Sequence, residues 1–313
     1  MNNLEKGLNY QEALRFSELV HRDFFDEKGF PFVGHPVTVA RNICSDGYNK
    51  KEVISGFLHD AVKHDYYLID EIKEKFGEDI AETVYRNNSP IPFNKGDSAI
   101  IIDRYEEEDL KKFDISGEML RKGSKNVQKA LKDSINFHKG QFRKLKKIPY
   151  VTHPIGVARN LSHYGCGEDL VTAGLFHDVL EMTDKQYEDI KDGYGKKVAD
   201  IVGELTDDPQ DSWEDRKIKN IENFYRCSRS VRLVGMADKL DNLESMQRDY
   251  KRLGEDTWEK FNRPKEFHAW YFGSLKEAFS NFKNLEPEKH MFERFDTIFE
   301  EVFEDYEKLK EII

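Results

Sequence analysis

Apolar positions recur along most of this chain at helical spacing, three or four residues apart. Ile155, Ala158 and Leu161 form one such stripe, and Gly165 follows as a predicted stop. The alternation typical of strands is scarce, and Glu, Lys, Leu and Ala dominate. Further helices are expected at about 168–182, 213–226, 230–250, 264–285 and 289–311. The pattern predicts an all-α protein.

The chain also repeats itself at an offset of 118 residues. The segment FPFVGHPVTVARN at 30–42 matches IPYVTHPIGVARN at 148–160. At the same offset, GFLHD at 56–60 matches GLFHD at 174–178. A period of this length indicates a duplicated domain rather than a short solenoid repeat.

Ungapped pairing shows how far the repeat extends. Between 31–86 and 149–204 there are 18 identities in 56 pairs. Turn-forming and charged residues cluster near 115–125, where a domain boundary is expected. We therefore predict two tandem helical bundle domains, covering 1–120 and 121–313.

Four residues of the second copy form a candidate metal site. His177 and Asp178 are expected inside one apolar helix, AGLFHDVL, where buried ionisable groups need partners. His153 begins the preceding helix, and Asp238 lies in the apolar stretch VRLVGMADKLDNL. Such a set from three helices is typical of metal sites in bundle cores. Without thiolates it favours Mn²⁺ or Fe²⁺, with Mg²⁺ and Zn²⁺ as alternatives. A His-Asp doublet on its own is equally compatible with a satisfied core pair.

Glu181 is a candidate catalytic residue. It follows His177 by four residues and Asp178 by three, so the three are expected on one helix face. A carboxylate beside a metal site can orient water or take its proton. The competing interpretation is a solvated residue at a helix end.

A basic run precedes His153 and suits a polyphosphate ligand. It consists of Lys139, Arg143, Lys144, Lys146 and Lys147. For Lys146 and Lys147 a solvated basic surface is the competing interpretation.

Composition limits the classes of partner. The 313 residues carry a net charge of -11, with 35% charged and 38% hydrophobic residues, as in a soluble globular protein. An acidic chain is a poor ligand for nucleic acid or anionic membranes. No apolar run has the length of a membrane span, and the N-terminus lacks the apolar core of a secretory signal. Cys44, Cys166 and Cys227 show no pairing pattern and fit a reducing cytosol, so a cytoplasmic protein is expected.

Five segments together resemble the HD-superfamily hydrolase domain of the RelA/SpoT alarmone enzymes, especially the small stand-alone hydrolases. They are FHKGQFRK (137–144), IPYVTHP (148–154), GLFHDVLEMT (174–183), GELTDD (203–208) and MADKLDNL (236–243). The similarity runs from about 126 to 285. It implies Mn²⁺-dependent removal of pyrophosphate from the 3′ position of guanosine tetraphosphate (ppGpp) or pentaphosphate, which for ppGpp leaves GDP.

The resemblance also implies a role for each matching residue. The metal is held by the residues that match His153, His177, Asp178 and Asp238. Glu181 helps to activate water, Arg143 and Lys144 flank the nucleotide, and Asn242 lies near the ribose. The chain departs from the family at Met182, where the pair Glu181-Met182 replaces the usual Glu-Asp.

The first copy keeps His35, His59 and Asp60 in changed surroundings. Lys63 stands at the position of Glu181, and acidic residues replace the basic run. We see no equivalent of MADKLDN, which leaves Asp103 as the one candidate for a fourth ligand. The first domain is therefore interpreted as degenerate, either a packing partner or a sensor. A second metal site of different specificity is the alternative.

Three functions stay open at this point. The first is hydrolysis of ppGpp, a small-molecule nucleotide. The second is a phosphohydrolase with another nucleotide substrate, such as NADPH or a nucleoside monophosphate. The third is a catalytically inactive nucleotide-binding regulator. The sequence does not decide whether the chain forms a homo-oligomer.

Overall fold

The computed structural model describes residues 9–63, 65–89, 98–143 and 148–309. Within these ranges the ordered elements are helices, and the only β-type pairings are isolated bridges. The prediction of an all-α protein is confirmed.

The chain divides into two compact units, residues 1–156 and 157–313. The helices that lie wholly in the first unit are α1 (Tyr10–His21), α2 (Gly34–Ser45), α3 (Lys50–Leu58), α4 (Leu68–Phe76), α5 (Glu78–Asn87), α6 (Ser98–Phe113) and α7 (Lys125–Phe137). Its centre is formed by α2, which packs against α3 and α6.

Helix α8 (Thr152–His163) runs across the division between the units. The second unit continues with α9 (Glu168–Phe176), α10 (Val179–Met182), α11 (Tyr187–Tyr194), α12 (Lys196–Leu205), α13 (Trp213–Arg226), α14 (Arg229–Leu253), a 3₁₀ segment (Gly254–Lys260), α15 (Lys265–Ser280), α16 (Glu288–Val302) and α17 (Tyr306–Leu309). The long α14 packs against α9, α12 and α16 and forms the centre of this unit.

Helix boundaries follow the offset of the sequence repeat. Shifted by 118 residues, α2, α3 and α5 coincide end for end with α8, α9 and α12. The repeat therefore extends from residue identities to the places where helices start and stop.

The segment around the predicted domain boundary contacts the first unit. Phe25 and Leu120 exchange two backbone hydrogen bonds, of 2.7 and 2.8 Å. Beyond them, the Gly140 N–H donates to Gln11 Oε1 at 2.9 Å. These contacts join the segment up to residue 140 to the first unit, and the limits 1–120 and 121–313 stay a prediction.

The predicted helix at 168–182 is wrong in one respect, because it breaks at His177 and Asp178. His177 Nδ1 donates to the Gly174 carbonyl at 2.9 Å. In a continuous helix that carbonyl would accept the N–H of residue 178. The side chain thus takes over a backbone acceptor, so α9 ends at Phe176 and α10 starts at Val179. The predicted helix at 289–311 is likewise two helices, α16 and α17.

Candidate metal centre

A glycine determines how closely the helix before His177 approaches its neighbour. A Cβ atom on Gly174 would lie 2.7 Å from Leu161 Cδ1 and 3.3 Å from Ala158 Cα. A side chain at this position would force Leu161 and the backbone at Ala158 to shift, so glycine allows α9 and α8 their present close contact. The close approach places the end of α9, and with it His177, at a fixed depth in the unit.

Three of the predicted ligands converge at the end of α9. The His177 Nε2 atom lies 3.0 Å from Asp178 Oδ2 and 3.6 Å from Asp238 Oδ1. Because His177 Nδ1 donates to the Gly174 carbonyl, Nε2 is the ring nitrogen that faces both carboxylates and that can bind a metal ion in place of its proton. This arrangement, with the outer nitrogen fixed by a carbonyl, is that of a metal-binding histidine. The donor set therefore fits a divalent cation.

The charges at this point also favour a cation. Burial opposes a charge on His177, yet Asp178 and Asp238 hold its pKa well above the ordinary value. The two carboxylates thus create a negative potential that stabilises a positive charge at this position.

His153, the remaining predicted ligand, is the second residue of α8 and is buried. Its ring stands edge-on to Tyr150, with the ring centres 6.1 Å apart. Its part in metal binding stays a prediction.

Two neighbours on α14 hold the Asp238 carboxylate. Asn242 Nδ2 donates to Oδ1 at 2.7 Å, and the Lys239 ammonium donates to Oδ2 at 2.6 Å. Asn242 therefore orients a candidate metal ligand, a contact that the sequence did not predict. Its predicted place near a ribose stays a prediction.

Glu181 lies in α10 and is anchored to the chain after α12. Its Oε1 accepts the backbone N–H of Asp207 at 2.7 Å. Desolvation raises the pKa of Glu181, and the Asp178 and Asp207 carboxylates raise it further. The expected shared helix face with His177 is wrong because the helix breaks between them. The neighbouring Met182 side chain is exposed.

Two lysines near Asp238 were missed by sequence reasoning. Burial and, to a smaller extent, the nearby Lys239 ammonium lower the pKa of Lys217 to about 8. The Lys217 ammonium lies 4.9 Å from the centre of the Tyr271 ring. Lys239 could have been found from its place beside Asp238, but Lys217 lies among the charged residues of α13 with no distinguishing pattern. Both can attract an anionic ligand.

The basic run is described only in part. Arg143 is half-buried, and its backbone N–H donates to the Ile148 carbonyl at 3.0 Å. Lys144, Lys146 and Lys147 lie outside the described residues. The proposed nucleotide contacts of Arg143 and Lys144 therefore stay predictions.

In the first copy, the prediction of Asp103 as the fourth ligand is wrong. Asp103 is exposed, whereas Glu106 Oε2 lies 3.9 Å from His59 Nε2. Glu106 and Asp109 are spaced on α6 as Asp238 and Asp241 are on α14. The first copy thus has a counterpart of the MADKLDN helix that its sequence does not reveal.

None of the helices in the described part of the chain is long and apolar enough to cross a membrane.

Comparison with known proteins adds the family. A family model described as "HD domain" matches residues 130–265. The guanosine-3′,5′-bis(diphosphate) 3′-pyrophosphohydrolase MESH1 of Xenopus tropicalis is 41% identical over 136 residues, covering 42% of this chain and 73% of that protein. MESH1 of Homo sapiens is 35% identical over 161 residues, 50% of this chain and 87% of that protein.

A larger relative matches over a smaller share of its length. The bifunctional (p)ppGpp synthase/hydrolase SpoT of Escherichia coli is 30% identical over 128 residues, 39% of this chain and 18% of that protein. Because most of MESH1 is covered at this identity, the chain belongs to the HD-domain family that includes MESH1 and SpoT.

Proposed function

We propose that this protein hydrolyses guanosine 3′,5′-bis(diphosphate) to GDP and pyrophosphate, with a divalent cation in the second copy. The observation that carries the proposal is the convergence of His177, Asp178 and Asp238 in a relative of proteins named for this reaction. Mn²⁺ is the preferred ion, since two imidazoles and two carboxylates without thiolate suit it.

His153 is assigned as the fourth ligand by analogy with the first copy. There His35, at the equivalent repeat position, has its Nε2 atom 3.2 Å from His59 Nε2. The same atom lies 3.5 Å from Asp60 Oδ2. The offset of 118 residues maps His35 onto His153, so the same sequence pattern supports the same gathering of ligands.

Different residues around the site are assigned to different steps of phosphate hydrolysis. A divalent cation supplies positive charge that polarises a phosphoryl oxygen and acidifies water. Glu181, anchored through Asp207, orients the attacking water and takes its proton. Lys217 and Lys239 offset the negative charge of the pyrophosphate. Arg143 and Lys144 are assigned to the nucleotide, and Asn242 to the ribose as well as to Asp238.

The test uses the full chain, Mn²⁺ and guanosine tetraphosphate, with the products separated by anion-exchange chromatography. Asp238→Asn removes a ligand charge in the second copy, and Glu106→Gln makes the matched change in the first. We expect GDP and pyrophosphate from the wild type and from Glu106→Gln, and loss of both products in Asp238→Asn. Equal activity in all three proteins would contradict the assignment of the site.

Met182 favours one alternative. Without the second carboxylate of the family, the site can bind a nucleotide and turn it over poorly, as a regulator would. NADPH and nucleoside monophosphates are therefore assayed in parallel, and nucleotide binding is measured by calorimetry. Tight binding of guanosine tetraphosphate without products, together with turnover in Met182→Asp, would establish the regulator.

A further inference from the structure

The first unit contains a second convergence of metal-ligand atoms. His35 Nε2, His59 Nε2, Asp60 and Glu106 each offer one atom, and these atoms lie within 4.8 Å of one another. The two Nε2 atoms are 3.2 Å apart, and Asp60 Oδ2 lies 3.5 and 3.4 Å from them. His35, His59 and Asp60 are almost completely buried.

In both histidines the Nδ1 atom makes a hydrogen bond to a group outside the cluster. His59 Nδ1 donates to the Gly56 carbonyl at 2.9 Å, the same contact that His177 makes with Gly174. His35 Nδ1 donates to the buried Asp109 carboxylate at 2.5 Å. In the neutral rings both Nε2 atoms are therefore acceptors. Two imidazole lone pairs and a carboxylate oxygen then face one another, which is unfavourable unless a metal ion or a further proton lies among them.

Lys63 is not that central cation. Its ammonium lies 2.5 Å from Asp60 Oδ1 and 3.0 Å from Glu106 Oε1, on the outer side of both carboxylates. The other oxygens, Asp60 Oδ2 and Glu106 Oε2, face the histidines. Asn87 also donates to Glu106 Oε2, at 3.4 Å. Lys63 thus holds the two carboxylates in place and offsets one of their charges.

We propose that the first unit is a second metal centre that binds a divalent transition-metal ion through His35, His59, Asp60 and Glu106. Its donor types equal those of the second copy, and the short spacing of three of its ligand atoms favours a tetrahedral ion such as Zn²⁺ over Mn²⁺. Bonds of about 2.0–2.1 Å to a tetrahedral ion give ligand edges of about 3.3–3.4 Å. The edges among His35, His59 and Asp60 are 3.2, 3.5 and 3.4 Å. The edges to Glu106 are longer, at 3.9 Å from His59 and within 4.8 Å of the other ligand atoms, so the Glu106 side chain has to move inward when an ion binds.

The metal centre proposed in the first unit is not suited to hydrolysis. Four protein ligands close a tetrahedral site, as in structural zinc sites, whereas catalytic sites keep a position open. Lys63 stands where the second copy has Glu181, so no carboxylate is available there to take a proton from water. Asp60 also lines a cavity of about 470 Å³. The ion therefore stabilises or regulates the first unit.

The test counts metal ions in a protein whose other site is disabled. The background is the full chain carrying His177→Ala and Asp238→Asn, stripped with chelator and reloaded with Zn²⁺ or Co²⁺. We expect about one ion per chain by mass spectrometry, and a Co²⁺ visible spectrum of the tetrahedral type. Adding His35→Ala should abolish binding, and Glu106→Gln should weaken it at least tenfold. Circular dichroism checks that each protein is folded.

Two outcomes would overturn the proposal. The first is that the folded His177→Ala, Asp238→Asn protein binds no stoichiometric ion, or that it still binds the ion after His35→Ala is added. The second is binding that appears only after Lys63→Met, because the lysine ammonium would then take the place of the ion. Neither outcome bears on hydrolysis, since metal content rather than turnover is measured.

Discussion

Replacing Glu181 with glutamine separates its proton chemistry from its structural contact. In the structure Glu181 Oε1 accepts the Asp207 N–H at 2.7 Å. The amide oxygen of glutamine can accept the same hydrogen bond, so the anchor to the segment after α12 is kept. What the substitution removes is the negative charge and the ability to take a proton.

The size of the effect follows from that separation. A positioned general base contributes about 10²–10⁴-fold to a rate, or about 3–5 kcal/mol of barrier. Desolvation and Asp178 raise the pKa of Glu181, the direction that favours proton uptake. From the middle of the general range, we expect kcat to fall about 10³-fold in Glu181→Gln. Metal content and stability should stay at the wild-type level. Glu181→Ala should in addition lose about 0.5–1.5 kcal/mol of stability with the lost hydrogen bond.

The assay is steady-state release of pyrophosphate from guanosine tetraphosphate with saturating Mn²⁺. Bound metal is determined by mass spectrometry, and unfolding is followed in urea. If Glu181→Gln retained kcat within threefold of the wild type at full metal loading, Glu181 would not be the base, and the reasoning from its position would be refuted.

Three further predictions concern packing and charge. Gly174→Ala should lower the free energy of unfolding, measured in urea, by about 1–3 kcal/mol, because its Cβ would lie 2.7 Å from Leu161 Cδ1. The control is Gly193→Ala, which has open space around it and should not destabilise the protein. Burial would raise the pKa of Glu288, yet pairing with Arg229 holds it below the ordinary 4.5. The wild type should therefore lose this stabilisation as the pH falls below about 4.5, and Glu288→Gln should show a smaller loss over that range in urea titrations. Because burial lowers the pKa of Lys217 to about 8, nucleotide affinity should fall as the pH rises from 7 to 9, and calorimetry should find a flatter profile for Lys217→Arg.

The fold class and the His-Asp doublet could be predicted because each depends on local sequence. Amphipathic periodicity identifies helices without knowledge of their partners. The break at His177 could not be predicted, because it depends on a side chain that takes the Gly174 carbonyl from the backbone. Hydrophobic periodicity runs through such a break unchanged.

Glu106 was missed for a different reason. The ungapped repeat ends near residue 86, and Glu106 follows Asp60 by 46 residues, against 60 between Asp178 and Asp238. The two copies reach the helices that carry Glu106 and Asp238, α6 and α14, through connections of different length. Only the three-dimensional contact between Glu106 and His59 reveals the equivalence.

The two copies carry opposite charges at one equivalent position, residue 63 in the first copy and residue 181 in the second. At residue 63 the first copy places an ammonium against the carboxylates of Asp60 and Glu106. The second copy places the Glu181 carboxylate there instead, bonded to a backbone N–H. An ammonium neutralises ligand charge and cannot accept a proton, whereas a carboxylate adds charge and can accept one. Under the functions proposed here, this single difference separates a centre that only holds an ion from one that can also activate water.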